Sequence, residues 1–398
     1  ELWCLFSIFE ISVYLVDDVR TSRDFLNPDS FLAHLLAESS LTREVIVSNQ
    51  LIQSLNQADA PLSTDALEEI LSIPTDGVIE MFARLEGHLV MLGVGGKMGP
   101  TMARMAQRAI TASGSEMKLT AISRFSNPTV RERLEFWGIS TQACDLLDPP
   151  SVQTLPDATH VLNLSGFKFG AADNLGLTWA TNCEIPSAIC RRYANSKVAA
   201  FSTGNVYGMV DVTSGGSLEN AELCPEGEYA MAALGRERMY EYYAQQLNLP
   251  VAILRLNYAT ELRYGVLIDI ASKVLQGNPV ALSMGFLNAI WLGDANAMTL
   301  RSIELTEVPA RPLNMTGPDV ISVREVARQV GQLTGHAVTF EGTELEQALL
   351  SRSAHNYDVL GSPLISLETM IRWSVQWLQQ NGESLGKPTK FQVTDGKF

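Results

Sequence analysis

Basic residues are scarce in this 398-residue chain, where 29 Lys and Arg stand against 44 Asp and Glu, a formal net charge of −15. Nucleic acid and anionic membranes need a basic surface that neutralises phosphates, so neither is expected as a general partner. Cysteine is also sparse. The five (Cys4, Cys144, Cys183, Cys190, Cys224) form no CxxC pair, which argues against a disulfide framework or a zinc site and fits a reducing cytoplasm. The five histidines (His34, His88, His160, His336, His355) are dispersed. They show no metal-ligand spacing and no nearby serine elbow, so no metal is expected and triad hydrolysis is poorly supported. The apolar opening, residues 1–16, carries Glu1 and Glu10 and lacks a basic leading region. It is shorter than the roughly 20 residues of a spanning helix and reads as a segment packed against the body.

Apolar residues are plentiful, at 46% of the chain, enough for one large domain and a smaller one. From Asp24 to about Gly87 they recur at helical spacing, as in Phe31, Leu32, Leu35 and Leu36, then Leu67, Ile70 and Leu71. Asp65 with Glu68 has the form of a capping box, so residues 1–87 are predicted to be a helical N-terminal extension. Beyond it the rhythm changes to short apolar runs, LVML (89–92), LTAI (119–122), HVLNL (160–164), VAAFS (198–202) and VAILRL (251–256), alternating with amphipathic helices. This predicts an α/β fold, with a Rossmann-type doubly wound parallel sheet over 88–257. After Asn257 helices are expected at 266–275, at 296–305 and from Ser322, which forms a capping box with Glu325. Residues 258–380 thus read as a smaller C-terminal substrate lobe with some returning core elements, and 381–398 as an extended tail over the surface.

The sharpest local signal is LVMLGVGGKMGPTMARMAQRA, an apolar strand running into Gly93, Gly96 and Gly99 and then a helix. Glycines there permit a tight turn, close approach of backbone to a pyrophosphate, and close packing of helix on strand. Phosphates then sit on unpaired N–H groups at the helix start. Lys97 and Met98 lie inside this turn. The next strand ends at Ser123 and Arg124, where an NAD site usually places an acid. Arg124, helped by Lys97, either pairs with a 2′-phosphate, inclining the cofactor from NAD toward NADP, or is a solvated loop residue.

In chain order follow CDLLD (144–148), NLSG (163–166), FSTGNVYG (201–208), RLNY (255–258), IWLGDAN (290–296) and NMTGPDVISVREVARQVGQLTG (314–335). With the GxxGxxG turn, this series resembles the extended short-chain dehydrogenase/reductases, also called the NAD-dependent epimerase/dehydratase family, over about three-quarters of the chain. The resemblance implies that Asp145 and the neighbouring Leu146 lie at the adenine and that Ser165 and Gly166 line the nicotinamide side. It also implies that Asn182 is the family's structural Asn, Thr203 the hydroxyl that hydrogen-bonds the reacting oxygen, and Tyr229 the acid/base, with Glu237 in the place of the acid that often follows.

One departure bears on mechanism. The family's YxxxK places a lysine where this chain has Ala233. Without a neighbouring cation a tyrosine is a poor base at neutral pH. Lys168, just after NLSG, is a candidate substitute that reaches the site from the opposite wall; a surface loop lysine is the alternative. Arg236 is expected on a solvent or partner face, and Tyr207 and Tyr258 in packing.

The resemblance therefore implies an NAD(P)-dependent oxidoreductase, epimerase or dehydratase acting on a sugar, nucleotide sugar or sugar acid. Lys168, Asn205, Asn257 and Arg263 are the candidate substrate contacts, and a homodimer is expected. The rival is a non-catalytic dinucleotide-binding sensor or assembly protein, which Ala233 favours and the retained Thr203, Tyr229 and Asn182 oppose.

Overall fold

The computed structural model describes residues 49–167, 173–387 and 389–393. Its centre is a seven-stranded, all-parallel sheet built from β1 (His88–Leu92), β2 (Lys118–Ser123), β3 (Ser140–Ala143), β4 (His160–Asn163), β5 (Lys197–Thr203), β6 (Val251–Leu256) and β7 (Arg311–Met315). Their spatial order is β7-β6-β5-β4-β1-β2-β3. The order reverses between β1 and β4, and a doubly wound sheet opens its ligand crevice at the carboxyl ends of those strands.

Every apolar run read from the sequence falls on a strand. Both sheet faces are buried, so alternate residues feed two cores. Val90 and Leu92 pack under helices α5 (Leu175–Arg192) and α6 (Gly227–Leu247), with Ile185, Ile189 and Tyr240. Leu89 and Met91 pack on the other side with Met102, Met105 and Ala106 of α3 (Gly99–Ser113).

That second core takes in the described part of the N-terminal extension. Helices α1 (Thr64–Leu71) and α2 (Asp76–Arg84) bury Leu67, Ile70, Leu71, Met81 and Phe82 in it. The cap of α1 differs from expectation: Ser63 accepts the Ala66 N–H, placing Asp65 within the first turn. Glu68 is free for another task. It is buried and accepts Arg133 Nη1 at 2.7 Å, from α4 (Pro128–Phe136), and Arg263 Nη1 at 3.0 Å. The expected helical residues Phe31 to Leu36 and the opening 1–16 lie outside the described residues.

In the C-terminal half, α7 (Val266–Leu275) occupies the expected range. Helix α8 (Leu292–Arg301) begins four residues before the predicted start, and a 3-10 turn completes the range to Leu305. Ser322 caps α9 (Val323–Thr334) by accepting the Glu325 N–H, and Ser366 caps α10 (Leu367–Gln379) through Thr369. The described tail residues, 381–387 and 389–393, form no helix or strand, yet the tail does not simply run over the surface. Phe391 enters the core, and buried Thr389 donates to Asp269 of α7 through its N–H at 2.8 Å and its hydroxyl at 2.5 Å.

Candidate active site

The crevice at β1 and β4 is shaped by glycines whose demands differ. Gly93 has φ +79°, and a Cβ there would lie 2.7 Å from Ser165 N, so this glycine is needed for the turn and for close approach of the β4 end. A Cβ on Gly99 would lie 2.1 Å from Val94 O, which ties that glycine to packing of α3 on the strand. Gly96 is different. A Cβ there would meet only Gly93 O, at 3.6 Å, an ordinary contact, so the fold itself tolerates a side chain at this position. The start of α3 also lacks a side-chain cap, because its N-cap is Met98. N–H groups at that helix end are therefore available to an anion. These features fit a dinucleotide.

On the β2 and β3 side, Arg124 and Asp145 are both exposed at strand ends, and Asp145 Oδ1 accepts Leu147 N–H at 3.0 Å. Leu146 is buried in the core beside them. Lys97 turns the other way. Its ammonium lies 3.6 Å from the Tyr264 ring centroid and donates to Ala259 O at 3.4 Å, on the β6 side of the sheet. It does not stand beside Arg124, as the 2′-phosphate reading had it.

The β4 end is held by a buried chain of bonds. Tyr240 OH accepts Asn163 Nδ2 at 2.8 Å, and Asn163 Oδ1 accepts the Ser165 hydroxyl at 2.6 Å and its N–H at 3.0 Å. Ser165 and Gly166 are thereby fixed beside the glycine turn. At the end of β5, the Thr203 hydroxyl donates to Asn205 Oδ1 at 2.9 Å and accepts the Asn205 N–H at 3.2 Å. Asn205 thus orients Thr203. Tyr229 stands partly exposed in the first turn of α6. The Tyr264 phenol is pushed up to about 12, by burial first and then by Asp269 and Tyr229; Tyr258 is raised by burial, Tyr264 and Tyr229. The Lys97 ammonium thus lies against Tyr264, whose phenol interacts electrostatically with those of Tyr229 and Tyr258.

Asn182 is fully buried in α5, and its Nδ2 donates to Thr178 O at 2.7 Å. Its Oδ1 is buried with no donor among the described residues, and its main-chain carbonyl faces Pro186, which has no N–H.

Other candidates stand elsewhere. Lys168 lies outside the described residues. Asn257 is buried and donates to Ser351 Oγ at 3.1 Å, with Gly204 packed against its amide. Arg263 is also buried; its Nε donates to Glu261 at 3.2 Å and its Nη1 to Glu68. Two carboxylates already neutralise that guanidinium, so it joins the extension to the 258–265 loop instead of offering a free charge to a substrate.

Arg236 corrects the sequence reading most sharply. It is 5% exposed, far from a solvent face, and its Nη1 donates to Ser165 O at 3.2 Å. The helical spacing contained the signal: Ala230, Ala233, Glu237 and Tyr240 mark the buried face of α6, and Arg236 adjoins it. Charge alone had suggested solvent.

Among the described residues, no group of three or more His, Cys, Asp or Glu is placed to hold a metal, and no helix is long and apolar enough to cross a membrane.

The doubly wound sheet, the uncapped α3 start and the glycine turn at the switch point define a Rossmann-type nucleotide-binding protein. Residues 89–281 match the family model described as the NAD dependent epimerase/dehydratase family. A comparison with curated proteins gave no match. Solved structures share the fold. They include dTDP-glucose 4,6-dehydratase from Bacillus anthracis in complex with NAD (15% identity, 74% of this chain and 97% of that one, TM-score 0.61). Two others are UDP-glucuronic acid 4-epimerase from Bacillus cereus in complex with NAD (16%, 74% and 99%, 0.61) and Thermus thermophilus UDP-glucose 4-epimerase with NAD (20%, 73% and 99%, 0.57).

Proposed function

We propose that this chain is an NAD(P)-dependent enzyme that epimerises, dehydrates or oxidises a sugar, with a nucleotide sugar as the favoured substrate class. The observation that carries the reading is Gly96, the one glycine of the turn that nothing in the fold requires. A ligand that presses on the backbone there accounts for it.

When bound, the nicotinamide takes up and returns a hydride. The chain's own residues have simpler tasks. The N–H groups at the α3 start bind the pyrophosphate, and Ser165 and Gly166 wall the nicotinamide side. Thr203, oriented by Asn205, hydrogen-bonds the reacting oxygen, and Tyr229 gives or takes its proton. Lys97, beside Tyr264, is placed for an anionic group of cofactor or substrate. A homodimer is part of the proposal, supported by exposed Leu175, Trp179, Met231 and Tyr242 on α5 and α6, as is a cytoplasmic location, supported by free Cys144, Cys183, Cys190 and Cys224.

The rival without turnover draws on Ala233, which packs with Val206 and Tyr207 in a small apolar cluster where the family has a cation. Two measurements separate these readings. Calorimetry should show NAD or NADP binding in the wild type and loss of it in Gly96→Val at unchanged melting temperature. Incubation with UDP-glucose, UDP-glucuronic acid and dTDP-glucose, followed by chromatographic product analysis, should then show conversion. Unchanged affinity in Gly96→Val would remove the dinucleotide assignment, and binding without any product would leave the non-catalytic reading.

A further inference from the structure

Arg236 is a buried cation whose charge nothing among the described residues neutralises. The next residue on α6, Glu237, is fully engaged by Arg255 and Ser202. Among the described residues Arg236 makes one hydrogen bond, to the neutral carbonyl of Ser165, and its buried Nε has no acceptor. A guanidinium carries five N–H donors, and withdrawing it from water without a counter-charge is unfavourable. An electron-rich ligand that completes its shell offsets that penalty.

Position identifies the ligand. A Cβ on Gly166 would lie 2.9 Å from Arg236 Nη1, so the guanidinium touches the segment that ends β4. The same segment touches the glycine turn, where a Cβ on Gly93 would approach Ser165 N. A dinucleotide laid across the switch point places its adenine half over β2 and β3 and its nicotinamide half over β4 and β5. Arg236 lies on the second side.

We propose that Arg236 supplies, three residues along α6, the positive charge absent at Ala233, and that it holds the nicotinamide-ribose half of the dinucleotide through the ribose hydroxyls. The inference rests on the dinucleotide reading above and deepens it. Ala233 belongs to the apolar cluster with Val206 and Tyr207, so a charge at 233 itself would begin among apolar side chains. The guanidinium reaches the crevice from the neighbouring position instead.

The test is calorimetric and needs no substrate. Affinities for NAD, ADP-ribose and ADP are measured for the wild type, Arg236→Met, Arg236→Gln and Arg236→Lys. ADP-ribose keeps the second ribose and ADP lacks it. Arg236→Met should weaken NAD and ADP-ribose about tenfold or more, the scale of a charge-assisted hydrogen bond, while ADP changes by less than about twofold. Arg236→Lys should stay within about threefold of the wild type for all three. If Arg236→Met does not fold, Arg236→Gln reads the same ratio of ADP-ribose to ADP affinity. Equal losses for ADP and ADP-ribose, or no loss for either, would overturn the inference while the wild type still binds NAD. A wild type that binds none of the three ligands would instead defeat the dinucleotide reading.

Discussion

Arg255 holds the Glu237 carboxylate from both sides, Nη2 to Oε2 at 2.8 Å and Nε to Oε1 at 3.1 Å, with both side chains almost fully buried. The Ser202 hydroxyl donates to the same carboxylate, and Arg255 Nη1 donates to Tyr207 OH at 2.8 Å. Helix α6 is thereby clamped to β5 and β6 below Thr203 and Tyr229. The acid that follows Tyr229 is a structural tie here. Replacing it by alanine strands a buried guanidinium, so Glu237→Ala should lose about 3–5 kcal/mol of stability in urea unfolding. Glu237→Leu with Arg255→Met should recover much of that loss, since no lone charge remains. A loss under about 1 kcal/mol in the single variant would mean that water reaches Arg255.

Asp294, in the first turn of α8, ties that helix to residues 364 and 365 and makes folding sensitive to pH. It is buried and accepts Ile365 N–H at 3.1 Å. Burial pushes its carboxyl up to about 7 from an ordinary 3.8, against the lowering effect of the Ile365 and Leu364 N–H groups. Between those values the folded protein holds a proton that the unfolded chain has released. This group's contribution is therefore most favourable below the unfolded value, falls as pH rises toward 7, and is level above it. Asp294→Asn keeps an acceptor for Ile365 and cannot ionise. Its melting temperature, relative to the wild type, should rise between pH 5 and pH 8 by an amount equivalent to a few kcal/mol at most. Identical pH dependence in the two proteins would show that Asp294 does not titrate with folding.

Much of this was legible because a two-faced parallel sheet writes itself as apolar runs. The strand at Val251–Leu256 coincides with VAILRL, and α7 with its predicted range. Strand β3, STQA, was missed because it lies at the sheet edge, is short and polar, and buries none of its four residues fully. The site was legible where backbone geometry dictates residue type, at Gly93 and Gly99. It was not legible where charges find partners far along the chain. Nothing local indicates that Arg263 meets Glu68, 195 residues away, or that Arg236 turns inward to a carbonyl at the end of β4.

Arg124 offers a test of cofactor choice. It stands exposed just beyond β2, where a ribose 2′-phosphate of NADP would lie. Lys97 is directed to Tyr264, so of these two cations Arg124 alone stands at that place. Arg124→Asp should weaken NADP more than NAD, because a carboxylate repels the added phosphate, and calorimetry with both nucleotides reads the difference. Equal changes in the two affinities would remove Arg124 as the discriminator.

Thr203 and Tyr229 separate chemistry from binding. Thr203 is 7% exposed and its hydroxyl is already oriented by Asn205, whereas Tyr229 is partly exposed in the first turn of α6. Neither belongs to the glycine turn that fits the pyrophosphate. Tyr229→Phe removes the one group proposed to move a proton at the reacting oxygen. It should lower turnover by about 10²–10⁴-fold, the usual contribution of acid–base catalysis, with NAD affinity unchanged. Thr203→Val keeps the shape of the side chain and loses its hydrogen bond, so its loss should be smaller, about 10-fold, and should fall mainly on kcat. Turnover is followed by product analysis with the nucleotide sugar that the wild type converts, and affinity by calorimetry on the same preparations. Full turnover in Tyr229→Phe would move the proton-transfer role to another group. A parallel fall in turnover and NAD affinity would instead place the tyrosine in cofactor binding.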